Sequence, residues 1–419
     1  MRSREREAGR ARLPDHADYL IVGGGVAGGH AAYAIRKHDR TGRIVVVSDE
    51  RQFPYDRVPL SKEFLAGKRK RKELFFKGNS YYSRNKVEVI RERRAEALDI
   101  SSKTLRLDNG QAFSYKRLLL ATGGRPRKLQ LPGSDLAGIY YLRTLEDCDA
   151  IRNASSGAGE AVIVGGGFIG CEVAATLRGR GLKVTLVELA DHLLGAAIDE
   201  KTAGWIQGYH AKQGVKVLTK TTVNEFVGKD GRVTGVKLGG GLVVPADLVV
   251  VGVGIIPNIE VAQEAGLKVD RGVVVDERLR TSATGVYAAG DVARFYSPIL
   301  KRVMRVEHYD LAERQGAVAG SNMAGRRATF EELPYFFSNQ YDLEINAYGD
   351  LSSRTSTVLR GGLNSSAGFL QFYFNGNVLD GVLSINRDWD EIEKAKALVE
   401  RRKAIADPSA VGDESRALR

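Results

Sequence analysis

Two glycine-rich turns have the residue types and the spacing that bind a dinucleotide. In the first, Gly23, Gly25 and Gly28 form a G-x-G-x-x-G motif, and Asp49 and Glu50 begin 21 residues after its last glycine. The glycines allow the backbone to approach a pyrophosphate, the following helix offers its N-terminal amides, and the acidic residue binds a ribose. The sequence therefore predicts a dinucleotide site near its N-terminus.

The same plan occurs a second time in the middle of the chain. Gly165, Gly167 and Gly170 follow an apolar run, and Glu188 stands 18 residues after the last of them. Either glycine turn alone could be only a tight strand-to-helix connection. That interpretation is disfavoured because each turn is also followed by an acidic residue at the spacing expected for a ribose contact. Two dinucleotide sites in one chain indicate electron transfer between a bound flavin and a nicotinamide.

The acidic residue of the second copy indicates which nicotinamide cofactor is used. Glu188 would repel a 2′-phosphate, and no arginine follows it directly. Arg178 and Arg180 lie nearby on the preceding helix, so the distinction is not absolute. We expect NADH to be favoured over NADPH.

The elements that must position these turns are two similar α/β units and a third region. Residues 19–50 and 161–189 both read strand, glycine turn, helix and strand, and KRLLLATGGRP resembles ADLVVVGVGIIP as a buried strand leaving through a glycine turn. Unalternating Val, Ile and Leu runs are typical of parallel strands covered on both faces. Residues 87–107 and 215–244 alternate and predict antiparallel additions.

The composition shifts after residue 325 to aromatic and β-forming residues, followed by a charged helix, so we expect a third, α+β domain. The predicted organisation is 14–125 and 253–325 for a discontinuous FAD-binding domain, 126–252 for an NAD-binding domain, 326–406 for the C-terminal domain, and 1–13 and 407–419 for flexible tails.

Composition excludes several classes of protein. The 419 residues are 43% hydrophobic and 27% charged, with a net charge of +12, which is unlike a disordered or fibrous chain. No apolar run approaches the roughly 18 residues of a membrane span. Cys148 and Cys171 are too few for a disulfide framework or a Cys-ligated zinc site, and we predict no metal. The N-terminus lacks the apolar segment of a secretory signal, so we expect a cytoplasmic protein.

Four longer motifs carry a resemblance to a known family. They are PYDRVPLSKEFL from residue 54, LLLATGGRP from 118, GVYAAGDVA from 285, and VEHYDLAERQGAVAGSNMAG from 306. Together they resemble the FAD-dependent pyridine nucleotide oxidoreductases, in the branch of ferredoxin and rubredoxin reductases, monodehydroascorbate reductases and apoptosis-inducing factor. The resemblance implies a glutathione-reductase-like fold, with two Rossmann-like FAD/NAD(P)-binding domains and a C-terminal α+β domain.

The resemblance also implies the cofactor contacts. The first glycine turn would bind the ADP half of FAD, Asp291 would reach the ribityl chain, and a helix after Gly290 and Asp291 would direct its N-terminus at the flavin. The implied FAD- and NADH-binding residues are Gly23, Gly25, Val26, Ala27, Gly28, Asp49, Glu50, Arg57, Lys62, Ala121, Thr122, Gly123, Arg143, Gly165, Gly166, Gly167, Phe168, Ile169, Gly170, Glu188, Gly254, Gly290, Asp291, Glu307, His308, Tyr309 and Phe337.

Four of the residues at the flavin are implied to act in catalysis. In the resembling enzymes a lysine of the RPPLSK motif pairs with a glutamate after the second glycine turn, and the positions here are Lys62 and Glu172. Glu307 and His308 match an EH pair beside the flavin and nicotinamide, with a role in positioning. Phe337 stands where some members have tryptophan, and core packing is an equal interpretation of it.

The electron acceptor is left open by the residues. No C-x-x-x-x-C pair is present for a disulfide relay, so electrons must leave the flavin for a carrier or a small molecule. The basic run from Lys68 to Lys72 would attract an acidic ferredoxin or rubredoxin, although such a run is also typical of a solvated surface. The sequence does not decide whether the protein forms a homodimer.

Two other functions are kept as alternatives to a ferredoxin or rubredoxin reductase. One is a small-molecule reductase acting on a monodehydroascorbate- or quinone-like acceptor. The other is an NADH-responsive redox sensor similar to apoptosis-inducing factor, whose positive charge would contact nucleic acid. Basic residues interspersed with acids, without interleaved aromatics, argue against nucleic-acid binding.

Overall fold

Twenty-five strands and eight α-helices make up the described part of a computed structural model, which covers residues 14–75, 77–195, 197–352 and 354–418. The predicted N-terminal tail, residues 1–13, lies outside it. The strands are β1 Asp15–Val22, β2 Ile44–Val47, β3 Val87–Ile90, β4 Ala95–Asp99, β5 Thr104–Leu107, β6 Ala112–Leu120, β7 Gly124–Pro126, β8 Ile139–Tyr140, β9 Glu160–Val164, β10 Lys183–Val187, β11 Lys216–Leu218, β12 Val223–Lys229, β13 Arg232–Leu238, β14 Val243–Pro245, β15 Leu248–Val251, β16 Ile255–Pro257, β17 Val273–Val274, β18 Val286–Ala288, β19 Ala293–Ser297, β20 Arg302–Met304, β21 Tyr335–Gln340, β22 Leu343–Gly349, β23 Ser356–Gly361, β24 Phe369–Asn375 and β25 Val378–Ile385.

The helices are α1 Val26–His38, α2 Asn79–Arg84, α3 Leu145–Ala154, α4 Phe168–Gly179, α5 Glu200–Lys212, α6 Glu260–Glu264, α7 Tyr309–Met323 and α8 Trp389–Arg401. None of those helices is both long enough and apolar enough to cross a lipid bilayer.

The first sheet is built around four parallel strands in the order β3-β2-β1-β6. The long strand β6 pairs with β18 along its C-terminal half and with the antiparallel β5 along its N-terminal half, and β5 in turn pairs with β4. Strand β3 was predicted within an antiparallel addition, but it runs parallel to β2. The reason is that helix α2 lies between these strands and returns the chain to the same edge of the sheet.

Helices α1 and α7 lie in contact through glycines. A methyl group at Gly316 would lie 2.3 Å from the Ala27 carbonyl oxygen, and one at Gly320 would lie 2.4 Å from that of Ala31. Because neither glycine has a side chain, the two backbones can approach this closely. The contact joins residues 253–325 to residues 14–125, the two segments that were predicted to form one discontinuous domain.

The second sheet is parallel in the order β11-β10-β9-β15-β8, with β12, β13 and β14 forming an antiparallel addition. Strand β11 was predicted within that addition, but it runs parallel to β10 because α5 returns the chain to the same edge of the sheet. The two similar segments KRLLLATGGRP and ADLVVVGVGIIP end side by side. Their last residues form β7 and β16, which pair antiparallel where the chain passes between the two units. The third sheet is antiparallel, in the order β21-β22-β25-β24-β23, and carries α8. This arrangement confirms the predicted fold class.

Two further local predictions are wrong. The chain after Gly290 and Asp291 continues as strand β19 rather than a helix, because its alternating residues pair with β17 and β20. The end of the chain, predicted to be a flexible tail, packs on β23. There the buried guanidinium of Arg360 donates to the carbonyl oxygens of Val411 and Arg416, which gives residues without periodicity a fixed path.

Candidate functional site

A cavity of about 1020 Å³ lies where the three sheets meet. Its wall contains most of the residues that the sequence singles out. These are Gly23, Gly25, Val26, Ala27, Asp49, Glu50, Arg57, Lys62, Ala121, Thr122, Gly123, Arg143, Gly167, Phe168, Ile169, Glu172, Gly254, Gly290, Asp291, Glu307, His308, Tyr309 and Phe337. The cavity wall does not include Gly28, Gly165, Gly166, Gly170 or Glu188.

The first glycine turn forms a cradle that only glycines can make. Gly23 has φ of +118°, and a methyl group there would lie 2.0 Å from the Ala121 carbonyl oxygen. A methyl group at Gly28 would lie 1.9 Å from the Gly23 carbonyl oxygen, which explains its place behind the wall. A methyl group at Gly25 would lie 3.9 Å from Arg57 Nη2, an ordinary contact, and Gly25 leaves the first amides of α1 without a side-chain cap. These amides fit a phosphate.

The two acids that follow the first turn have different environments. Burial alone would raise the pKa of Glu50, but the adjacent Arg57 guanidinium outweighs it and lowers that pKa. Glu50 also accepts a hydrogen bond of 2.6 Å from the Tyr55 hydroxyl. Asp49 is 55% exposed and lies 3.6 Å from Arg94 Nε. Glu50 is therefore engaged within the protein, and Asp49 is the more accessible carboxylate for a ribose.

The second glycine turn repeats the cradle with a more open surface. A methyl group at Gly170 would lie 1.9 Å from the Gly165 carbonyl oxygen, while Gly167 has open space in front of it. Glu188 lies behind the cavity wall, where it accepts hydrogen bonds from the amides of Gly166 and Ala190. Those bonds hold the carboxylate at the end of β10, beside the turn.

A buried ion pair joins the segment that ends at Lys62 to Glu172 on α4, the helix that follows the second turn. Lys62 Nζ lies 2.9 Å from Glu172 Oε1, with side-chain exposures of 9% and 3%. Glu172 also accepts hydrogen bonds from the hydroxyls of Ser61 and of Ser338, the second at 2.7 Å. Sequence reasoning missed Ser338, which comes from the C-terminal sheet and has no motif of its own. Burial of such a pair brings little net stability, so it serves to place a charge at the cavity.

An aromatic cluster stands beside that charge. His308 lies 4.9 Å from Phe336, and Phe336 lies 4.6 Å from Phe168, measured between ring centroids. Phe337 has its ring centroid 5.7 Å from Lys62 Nζ. Phe336 was also missed, although its place beside Phe337 in an aromatic run was a usable signal. The cluster offers flat apolar surfaces on which a planar ring can stack.

The N-terminus of α7 supplies the positive helix end that was expected after Asp291. His308 is its N-cap residue and provides no side-chain cap, so the first amides of the helix are open at the cavity wall. Burial lowers the pKa of His308 to about 4, and the imidazole is neutral near pH 7. Asp291 lies 3.0 Å from Arg143 Nη2. The helix end favours negative charge that builds nearby.

The two cysteines take no part in this site. Both are free and buried. Burial raises the pKa of Cys148 to about 12 and raises that of Cys171 further. Both thiols are therefore protonated at neutral pH and are poor nucleophiles.

A cavity with two phosphate cradles, a flat aromatic wall and a positive end fits a flavin dinucleotide and a nicotinamide dinucleotide meeting at their rings.

Comparisons with known proteins agree with this geometry. The model of the pyridine nucleotide-disulphide oxidoreductase family matches residues 17–316, and that of the reductase C-terminal domain matches residues 335–419. Rhodocoxin reductase of Rhodococcus erythropolis is 35% identical over 379 residues, which are 90% of this chain and 88% of the relative. Putidaredoxin reductase of Pseudomonas putida is 34% identical over 401 residues, 94% of each chain.

A solved structure extends the likeness to three dimensions. The covalent complex of putidaredoxin reductase with putidaredoxin superimposes with a TM-score of 0.91, at 33% identity and 96% coverage of each chain. The two family models together cover most of the chain. The chain therefore belongs to the pyridine nucleotide-disulphide oxidoreductase family, in its ferredoxin reductase branch.

Proposed function

We propose that this protein is an FAD-dependent NADH–ferredoxin reductase. One observation carries the proposal: a single cavity is lined by both dinucleotide turns, with the Lys62–Glu172 pair between them. The relatives include a rhodocoxin reductase and a putidaredoxin reductase, and the solved complex joins the second to putidaredoxin. We extend this activity to the present chain.

The residues of the cavity have distinct tasks in this proposal. The first turn, Asp49 and Arg143 hold FAD, and the second turn and Glu188 hold NADH. Bound FAD supplies a group that accepts a hydride and then releases single electrons. Lys62 and the N-terminus of α7 place positive charge where negative charge grows on the ring. The neutral His308 orients the rings and needs to move no proton, because hydride transfer requires none.

Specificity for NADH follows from the acid of the second turn. The Glu188 carboxylate is held by two backbone amides, so it cannot turn away from an incoming ribose without losing both bonds. A 2′-phosphate brought to this carboxylate would be repelled. We therefore propose NADH as the physiological donor, and the cytoplasm, where NADH is formed, as the location.

The basic segment Lys68–Lys72 is the proposed docking surface for an acidic carrier. Lys68, Lys70 and Lys72 are exposed, while Arg71 pairs with Asp149. The segment folds back on the Lys62 region, since the amides of residues 68 and 69 both donate to the Glu63 carbonyl oxygen. It therefore lies near the flavin side of the cavity. Exposed charge of one sign accelerates encounter with the opposite sign and loses this effect in salt.

Anaerobic reduction followed by timed reoxidation tests the proposal. The FAD-loaded protein is reduced with NADH and mixed with an acidic ferredoxin, or with a quinone as a small acceptor, at low and high salt. We expect ferredoxin to reoxidise the flavin faster, and more so at low salt. A faster reaction with the quinone would favour the small-molecule reductase, and a long-lived reduced flavin with both acceptors would favour the redox sensor.

A charge-reversal pair locates the carrier. K68E/K72E should lower kcat/KM for ferredoxin about tenfold at low salt and leave NADH–ferricyanide turnover unchanged. The matched control R326E/R327E changes the same number of exposed charges beyond the far end of α7 and should have little effect. Equal losses in both variants would refute docking at the basic segment.

A further inference from the structure

A buried hydrogen-bonded chain connects the Lys62–Glu172 pair to a histidine far from the cavity wall. Deepening the proposed function, on which this inference rests, we propose that His210 is a positioning residue for that pair and acts through Gln340 and Ser338. His210 lies on α5 of the NAD-binding domain, and the other two lie on β21 of the C-terminal sheet. Neither family motif nor local sequence pattern singled it out.

The hydrogen-bonded chain is continuous and buried. His210 Nε2 lies 2.8 Å from Gln340 Oε1, and Gln340 Nε2 lies 3.1 Å from Ser338 Oγ. Ser338 Oγ lies 2.7 Å from Glu172 Oε1, which is in turn 2.9 Å from Lys62 Nζ. His210, Gln340 and Ser338 have no exposed surface, and Glu172 is 3% exposed. Interactions of this kind are strong where water is excluded.

The hydrogens of this chain have one consistent direction. The ionised Glu172 can only accept, so Ser338 must donate its hydroxyl hydrogen to it. Ser338 Oγ then accepts from the amide of Gln340, whose carbonyl oxygen accepts from His210 Nε2. This requires a hydrogen on Nε2. Burial lowers the pKa of His210 and so favours the neutral ring, in which Nδ1 accepts from the Tyr341 hydroxyl at 3.2 Å. Every donor therefore points toward the carboxylate.

This direction determines how Glu172 divides its hydrogen bonds. The carboxylate receives donors from Lys62, Ser61 and Ser338, so the lysine is one partner among three. Without His210, the Gln340 carbonyl oxygen would be buried without a donor, which is unfavourable. Rotation of the amide would satisfy it by offering that oxygen to Ser338. Ser338 would then donate to Gln340, and Glu172 would draw the Lys62 charge toward itself and away from the cavity.

If His210 only filled space between α5 and β21, its ring would matter and its hydrogen bonds would not. Its ring lies 5.2 Å from that of Tyr341, an edge contact that a phenyl ring also provides. His210→Phe therefore keeps the ring and removes both hydrogen bonds, while His210→Gln keeps an amide hydrogen that can reach Gln340. Gln340→Met breaks the next link with a side chain of similar length. Gln371→Met is the matched control, because Gln371 is buried in β24 of the same sheet and lies outside the chain.

The FAD-loaded variants are compared by flavin midpoint potential and by the single-turnover rate of hydride transfer from NADH, both without ferredoxin. H210F should shift the potential to more negative values and slow hydride transfer about fivefold, the effect of one net hydrogen bond. Q340M offers Ser338 no carbonyl oxygen in place of Glu172, so its values should stay near those of the wild type. H210Q should recover most of both, and Q371M should match the wild type. Wild-type values in H210F, or an equal shift in Q340M, would overturn the proposal.

A second measurement needs no variant to fold and no cofactor. In the apoprotein labelled with ¹⁵N-histidine, His210 should give the signals of a ring with hydrogen on Nε2 and none on Nδ1. A hydrogen on Nδ1, or rapid exchange of the Nε2 hydrogen with water, would overturn the assignment. These outcomes are separate from the proposed function, which would fail instead if the protein bound no FAD or if reduced FAD did not react with ferredoxin.

Discussion

The two glycine turns share one sequence plan and differ in what the rest of the molecule places around them. At the first, α7 lies against α1 through glycines, and the acid Glu50 is held by Arg57 and Tyr55. At the second, Ile169 and Leu189 are 48% and 68% exposed beside the turn. One motif is enclosed and the other is open, which suits a cofactor that stays and a cofactor that exchanges in every cycle.

The difference shows that a dinucleotide motif specifies the phosphate cradle and not the lifetime of the complex. Both cradles have the same close approach of 1.9 Å between a built methyl group and the carbonyl oxygen of the first glycine. What differs is contributed by elements remote in sequence, in particular α7. Four predictions break or sharpen this comparison.

Breaking the ion pair between Lys62 and Glu172 should give the largest effect. Lys62→Met leaves Glu172 buried without its cation, and we expect the free energy of unfolding to fall by about 3 kcal/mol. The double variant K62M/E172Q, which removes both charges, should recover most of that loss. Urea unfolding of the apoprotein measures both, and a double variant as unstable as K62M would contradict the explanation.

Matched substitutions at the last glycine of each turn should separate the two cofactors. G28V and G170V each place a side chain against a carbonyl oxygen, at a cost of about 2 kcal/mol or about 30-fold in affinity. G28V should weaken binding of FAD, and G170V should weaken binding of NADH while FAD remains. Flavin absorbance after gel filtration and NADH titration measure these effects. Loss of FAD from G170V would remove the distinction between the sites.

The acid of the second turn should change nucleotide preference without touching the first site. Glu188→Ala removes the carboxylate that we propose to meet the NADH ribose, so the preference for NADH over NADPH in kcat/KM should fall about tenfold. FAD content should stay at the wild-type level. Asp191→Ala is the control, because Asp191 is exposed and pairs with Lys220 nearby. The prediction is wrong if E188A retains the original preference.

The smallest effect concerns His308, which stands where the two sites meet. Burial lowers its pKa from the ordinary value of 6.5 to about 4, so the neutral ring favours the folded state above pH 6.5. That stability is lost as the pH falls from 6.5 toward 4. Between pH 7 and pH 5.5 the wild type should lose about 1 kcal/mol more than His308→Asn. Unfolding at both pH values measures the difference, and parallel losses would contradict it.

Much of the site could be predicted because its parts are local. A glycine at a positive φ, a strand before it and an acid at the end of the next strand are all within about 30 residues, and their physical requirements are visible in the sequence. The pairing of Lys62 with Glu172 came from the resemblance of whole motifs, since no local rule joins residues so far apart. Geometry then placed the two at 2.9 Å.

The failures have the opposite character. The residues after Gly290 were expected to continue as a helix, yet pairing with β17 and β20 makes them a strand, and α7 brings the positive end to the cavity. The end of the chain has no periodicity and still packs, because Arg360 lies beneath it and binds its carbonyl groups. In each case a partner distant in sequence overrides the local signal.

By itself the sequence determined the two cradles, their acids and the absence of a dithiol relay, because each depends on residue type and short spacing. Only the tertiary structure decided that Glu50 forms an ion pair with Arg57 and that one site is closed and the other open. It also decided that Ser338 donates a hydrogen bond to Glu172, which lies 166 residues away in the sequence. The physical reason is that burial and hydrogen-bond direction belong to surroundings assembled from several elements, and they exist only when the three sheets are in contact.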